Sequence, residues 1–235
     1  KNELMGMVAH DLRTPLTVIT GYAGLLFEDG EKAKLPPANR QQGLARMRDM
    51  SDFMLRMLND LLDLSAIESG RVRLKLAPVE LAGLLRDSLA MHELVAKNKG
   101  ISMALTPEPE PVTITADGLK LRQALDNLLG NAIKFSPPAS AVSVGLAVVR
   151  GRVRISVRDQ GPGIPADELE RLFQPFARHS NLPTGGEKST GLGLAITRKI
   201  VTAHDGKVWA ESGQGGGSIF YIELPVGGPA EERCV

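Results

Sequence analysis

Two long apolar stripes, each recurring at spacings of three and four, commit the first seventy or so residues of this chain to helices. Met5, Val8, Leu12, Pro15, Ile19, Tyr22 and Leu26 form one seam, as in a coiled coil. Met47, Met50, Met54, Met57, Leu61 and Leu64 form the other, flanked by Leu44, Leu55, Leu58 and Leu62. The pattern predicts a helix over 3–27, a stop at Glu28-Asp29-Gly30, a polar, proline-containing connection to Asn39, and a second helix over 40–68. Two helices cannot cover faces this broad by themselves. Pairing two copies into a four-helix bundle does, so an all-α hairpin that forms a homodimer is the expectation, with the methionine row as core filling.

At Ser69-Gly70 the texture changes. Short β-branched runs at 72–76, 101–106, 112–115, 142–149, 153–158, 207–211 and 218–224 alternate with helical stretches at 81–97, 118–134, 167–173 and 192–203. Strands arrive mainly as hairpin pairs with helices set apart, which favours an α+β sandwich over a doubly wound parallel sheet. The expected division is therefore 1–69 and 70–235. Charge nearly cancels, at 28 Lys+Arg against 27 Asp+Glu, so nothing global points to nucleic acid or to an anionic membrane surface. Cys234 is the single cysteine, which fits a reducing, cytoplasmic compartment. No apolar run approaches the roughly 18 residues of a membrane span. The helical pattern is already running at Lys1, as expected of a fragment whose input domain lies upstream.

Within the first helix, His10 falls opposite the apolar seam. At about 100° per residue, His10 and Thr14 lie about 40° apart, and Asp11 adjoins the imidazole. Taken alone, such a histidine reads equally as part of a solvated face. The helix over 118–134 carries Leu121, Leu125, Leu128 and Ala132 on one stripe and Asn127, Asn131 and Lys134 on another. Asparagine is disfavoured on solvated helix faces, and its amide oxygen suits Mg²⁺ beside phosphates. Asp159-Gln160-Gly161-Pro162-Gly163-Ile164 follows a strand; alone it is a turn. Gly191-Leu192-Gly193 opens an amphipathic helix without the Lys-Ser/Thr of a P-loop, and leaves free N–H groups for phosphate oxygens.

In this order the motifs resemble those of two-component sensor histidine kinases. Met7 to Thr17 resembles the H box, with Asp11 where Glu is usual. Asp126 to Phe135 resembles the N box, Asp159 to Ile164 the first glycine box, and Leu172 to Arg178 the F box, with Phe173 and Phe176 anchoring a lid. Gly191 to Ile196 resembles the second glycine box, with Ser189 in place of Gly, and His204 to Trp209 the closing turn and strand, with Asp205 where Gly is commoner. The likeness runs from Asn2 to about Pro225.

That resemblance implies a GHKL-type ATP-binding domain after a dimerisation and phosphotransfer hairpin. His10 would be the phosphoacceptor, Asp11 its acid/base partner, and Thr14 the residue orienting a water for phosphatase action. Asn131 would bind Mg²⁺ with Asn127 in support; Lys134, Arg178, Gly191, Leu192 and Gly193 would face phosphate; Asp159, Gly161 and Gly163 would meet adenine and ribose. ATP and Mg²⁺ are the implied cofactors and a response-regulator receiver domain the implied partner. His92, His179 and His204 are given structural or solvated roles, and Trp209 is read as packing. A GHKL ATPase driving conformational change, or a nucleotide-responsive scaffold without transfer, are the alternatives; the first lacks a His-Asp-x-x-Thr helix, and the second is expected to have lost His10 or an asparagine.

Overall fold

The computed structural model describes the backbone of residues 2–32, 36–68, 74–106, 111–177, 180–181, 183–185, 189–213 and 216–229, and the side chains there except at 2–5, 7–10, 28–32 and 66–68. Contacts divide the chain into two compact units, Lys1–Leu61 and Leu62–Val235.

Two helices open the chain, α1 (Asn2–Lys32) and α2 (Pro37–Glu68). Gly30 does not stop α1, because one helix glycine costs only about 1 kcal/mol against the bonds on either side of it. α2 starts at Pro37 rather than at residue 40; the fixed φ and missing N–H of proline suit a first helical position. Near the turn, Gly43 lets the helices close, since a Cβ there would stand 3.1 Å from the Tyr22 ring and 3.7 Å from Leu26. Pro15 is buried, and Leu12, Ile19, Tyr22 and Leu26 are half-buried, so the seam read from the sequence faces inward.

The second unit is a mixed five-stranded sheet in the order β2-β4-β5-β7-β6: β2 (Ser102–Leu105), β4 (Ala141–Val149), β5 (Arg152–Arg158), β6 (Lys207–Ser212) and β7 (Ser218–Pro225). β2 runs parallel to β4, and the other neighbours are antiparallel. β1 (Ala77–Glu80) and β3 (Thr113–Ala116) pair separately, Ala77 opposite Ala116. The strand expected at 72–76 is thus corrected: residues 74–76 are not in a strand, and the pairing begins at Ala77. Pro78 is compatible with this because a two-stranded ribbon has only edges.

Helices α3 (Leu81–Asn98), α4 (Gly118–Phe135) and α6 (Gly193–Ala203) accompany the sheet, and α5 is one turn, Ala166–Leu169. The helix expected over 167–173 therefore stops early, and turns carry the chain to Phe176, whose φ of 58° is incompatible with a helix. Alternation sends Val153, Ile155 and Val157 of β5 and Phe220, Ile222 and Leu224 of β7 into the core. α3 and α4 are started by acids: the Glu80 carboxylate accepts from the N–H groups of Ala82 and Gly83 at 2.8 and 2.6 Å, and Asp117 accepts from Lys120 N–H at 3.1 Å. Among the described residues no helix is long and apolar enough to cross a membrane.

Candidate functional site

The stripe on α4 sets the site. Leu121, Leu125, Leu128 and Ala132 are each at most 2 % exposed, and burying a leucine is worth about 1.5–3 kcal/mol, so the helix cannot rotate. Asn127, Asn131 and Lys134 are thereby left half-buried along its flank. Asn127 Nδ2 donates to Gly193 O at 3.0 Å, tying the asparagine row to the start of α6. Asn131 lines an open cleft of about 470 Å³ together with Asp159, Gly163 and Leu194. Lys134 Nζ stands 5.3 Å from the centre of the Phe135 ring, itself a wall of that cleft.

Asp159 directly follows β5 and is 5 % exposed. Its Oδ1 accepts two backbone N–H groups, from Gly161 at 2.8 Å and Ser218 at 3.0 Å. Burial pushes its carboxyl above the usual aspartate range, and those hydrogen bonds pull it partly back. Both backbone bonds fall on Oδ1 and the Ser218 side chain also bonds the carboxylate, whose two oxygens together can accept about four hydrogen bonds and so can still take a donor in the cleft.

Two glycines shape the rim. Gly163 has φ +82°, and a Cβ on it would lie 2.8 Å from Ser212 Oγ; Gly191 has φ +70°, and its Cβ would lie 3.0 Å from Phe176 Cα. Phe176 N–H also donates to Gly191 O at 2.9 Å, so the F-box and second-glycine-box segments are bonded to each other. Leu192 is fully buried, its N–H donates to Thr190 Oγ1 at 3.3 Å, and among the described residues no side chain caps α6. The first N–H groups of that helix are thus open at its positive end, the arrangement that receives phosphate.

On α1, Asp11 is half-buried and Thr14 exposed. Thr17 and Thr20 donate their hydroxyls back to the carbonyls of Arg13 and Leu16; among the described residues Thr14 makes no such bond. The His10 side chain and the whole of Arg178 and His179 lie outside the described residues.

Sequence reading missed Glu168, Asn181, Ser218 and Phe220 in the cleft wall, and gave no role to Ile164 and Leu172, which end the first glycine box and open the F box. The β7 alternation that buries Ile222 and Leu224 also points to Ser218 and Phe220; Asn181 carried no local signal. His204 is structural, as expected. It is 1 % exposed, its Nε2 accepts from Asp117 N–H at 3.0 Å, and its Nδ1–H donates to Ile200 O at 2.8 Å. Burial lowers its pKa below that of ordinary histidine, consistent with this neutral form. His92 is half-buried, bonded to Ser88 O at 2.9 Å.

Residues 1–70 match the family described as the His Kinase A (phospho-acceptor) domain, and residues 116–228 that described as the histidine kinase-, DNA gyrase B- and HSP90-like ATPase. An uncharacterized sensor-like histidine kinase of Rhizobium meliloti is 33 % identical over 237 residues, covering 100 % of this chain and 45 % of its own length. This chain therefore spans less than half of that relative. Among solved structures, full-length ShkA in complex with AMPPNP is 34 % identical with a TM-score of 0.68, over 100 % of this chain and 47 % of the other. Histidine kinase ThkA in complex with the response regulator protein TrrA has a TM-score of 0.74 at 25 % identity, over 95 % and 61 %. With both halves matched in order, and the cleft formed by the residues that carry the motifs, the chain belongs to the sensor histidine kinase family.

Proposed function

We propose that the chain is the catalytic core of an ATP-dependent protein-histidine kinase, in which residues 1–69 dimerise and carry the phosphoacceptor His10 while residues 70–235 bind ATP. One observation carries the reading: a cleft that joins a buried carboxylate, an asparagine amide, and the start of α6, which no side chain caps among the described residues. Asp159 Oδ2 accepts an N–H of the adenine exocyclic amine, and Phe135, Ile164, Leu172 and Phe220 flank the ring. Gly161 and Gly163 let backbone approach the base and ribose. The phosphates lie toward Lys134, Arg178 and the backbone at Gly191, Leu192 and Gly193, where the Leu192 N–H exchanges its Thr190 hydroxyl for a phosphate oxygen.

Among the described residues there is no cluster of three His, Cys, Asp or Glu to hold a metal. A single neutral amide oxygen at Asn131, supported by Asn127, fits Mg²⁺, which brings phosphate oxygens and waters as its other ligands. Bound there, the ion would supply neutralisation of phosphate charge. An imidazole nitrogen of His10 attacks the γ-phosphorus; the N–P bond forms as the bond to the ADP oxygen breaks. Asp11 accepts the proton-bearing ring nitrogen's hydrogen bond and keeps the attacking lone pair available.

From His10 the phosphoryl group passes to an aspartate of a response-regulator receiver domain, a partner supported by the ThkA complex. Thr14, exposed and not bonded back to its helix among the described residues, orients a water for the reverse duty of dephosphorylating that regulator. We place this activity in the cytoplasm. Incubation with γ-labelled ATP tests the reading: the chain acquires acid-labile, alkali-stable phosphate, and His10→Gln loses all of it while still binding ATP. Label persisting on His10→Gln removes that residue from its role.

A further inference from the structure

Asn181 lies outside every motif that marked the site, yet it lines the same cleft as Asp159 and Asn131. Its Nδ2 donates to Gly163 O at 2.6 Å. Gly163 is itself held: its backbone is left-handed and its α-carbon backs onto Ser212 Oγ, while the following N–H, that of Ile164, donates to the same Ser212 oxygen at 3.0 Å. A carbonyl so fixed settles which end of the Asn181 amide is nitrogen, and hence where its oxygen lies. An amide has two N–H donors and one acceptor oxygen. One N–H is spent on Gly163, and among the described residues Oδ1 accepts nothing. One donor and one acceptor therefore remain side by side on a half-buried side chain at the wall of the cleft.

That pair is complementary to one edge of adenine, where the N6 amine donates and N7 accepts, the edge asparagine reads in duplex recognition. We propose that Asn181 is a second base-reading residue: Oδ1 accepts one N6 hydrogen and Nδ2–H donates to N7, while Asp159 Oδ2 accepts the other N6 hydrogen. The exocyclic amine has two hydrogens, and this assigns an acceptor to each. A 6-oxo purine presents a carbonyl to both acceptors and is refused twice. The assignment rests on the reading of the cleft as an ATP site, and adds to it the recognition of N7.

Equilibrium binding to the full chain separates the two readings, with ATP, 7-deaza-ATP (which lacks only the N7 acceptor) and ITP as probes. The wild type binds 7-deaza-ATP about 5- to 10-fold more weakly than ATP, the size of one neutral hydrogen bond. In Asn181→Ala that ratio falls to about one, whereas Asp159→Asn binds ATP more weakly and discriminates less against ITP with the ratio unchanged. A wild-type ratio of one, or a ratio that survives Asn181→Ala, overturns the assignment to Asn181. Equal weakening of ATP and 7-deaza-ATP by Asn181→Ala shows that the residue only positions the loop at Gly163, and overturns it too. Failure of the wild type to bind ATP at all overturns the nucleotide reading instead.

Discussion

The two helices and the α/β unit bury their apolar residues very differently. Across α1 and α2, together 63 residues (31 and 32), the buried hydrophobic side chains among those described are Phe53, Met57 and Leu64. Leu16, Leu25, Phe27, Leu44, Leu55, Leu58 and Leu62 remain 44–74 % exposed. The sheet unit closes its own core, with Leu121, Leu125, Leu128, Ile155, Ile196 and Ile222 all at or below 2 %. Its outer face is also sealed: Trp209 and Tyr221 stack at 4.9 Å, the Arg154 guanidinium lies 5.2 Å from the Trp209 ring, and Glu223 holds Arg154 at 2.7 Å. That ion pair keeps the Glu223 carboxyl below its usual range. The difference teaches that the sheet unit encloses a core of its own, even though Met91, Leu94, Val95 and Leu119 stay 58–77 % exposed on its helices, while the two long helices leave most of their large apolar side chains uncovered, as the proposed dimer requires.

The largest effect that sharpens this contrast is in the sheet unit. Leu128→Ala, at a site with no exposure, costs about 3–4 kcal/mol, as leucine truncations in closed cores do. Denaturant midpoints at several protein concentrations check that the loss is independent of concentration. Leu58→Ala belongs to the other class. It changes a monomer by under about 0.5 kcal/mol, but a face covered by a second copy loses about tenfold in self-association, roughly 1.4 kcal/mol. Sedimentation of the full chain at micromolar concentration reads this directly. A folded monomer in the wild type breaks the comparison.

A further contrast is pH. The buried His204 has a lowered pKa, so its neutral form stabilises the fold above the ordinary histidine value of 6.5. As pH falls through that value the unfolded imidazole takes up a proton that the folded one refuses. Stability is then lost by up to about 1.4 kcal/mol per pH unit until the folded pKa is reached. Asp126 and Asp159 act with opposite sign: burial raises both, so they favour the fold below the ordinary aspartate value of 3.8 and lose that contribution as pH rises through their folded values. The decline that starts below 6.5 therefore belongs to His204. Melting curves between pH 7.5 and 5.5 show it, and His204→Gln flattens it; an unchanged slope in that variant assigns the loss elsewhere.

What could be read from the sequence follows the range of the forces involved. The α4 stripe, the α6 start and the β4–β5 and β6–β7 hairpins announce themselves by local period and local glycines, and each lies within two residues of its expected place. The strand sought at 72–76 was displaced to Ala77–Glu80 because its register is set by Thr113–Ala116, distant in sequence. Asp159 stood out because its glycines adjoin it. Asn181 did not, because what defines it is a bond to Gly163 across 18 residues. The departure at Asp205 was visible as a letter, but its meaning waited for the backbone.

That backbone supplies the smallest and sharpest expectation. Asp205 has φ 53°, in the left-handed region where non-glycine residues are strained by about 1–2 kcal/mol, though Asp tolerates it better than most. In the turn its N–H donates to Thr202 O at 3.0 Å and its carbonyl accepts from Arg152 Nη2 at 2.9 Å, and the residue has a further interaction beyond these two. Asp205→Gly keeps both and relieves the strain, while the more flexible unfolded glycine returns about 0.5–1 kcal/mol of that gain. With the aspartate's further interaction also lost, the net expectation is a change in stability of no more than about 1 kcal/mol. The carboxylate next to His204 favours the charged imidazole, so its removal also moves the acid decline to a steeper or longer course rather than abolishing it. Thermal melts of Asp205→Gly at pH 7.5 and 5.5 measure both. A loss of stability at pH 7.5 shows that the aspartate side chain holds the turn more firmly than the strained backbone opposes it, and that the sheet unit relies on a polar contact here rather than on its closed core.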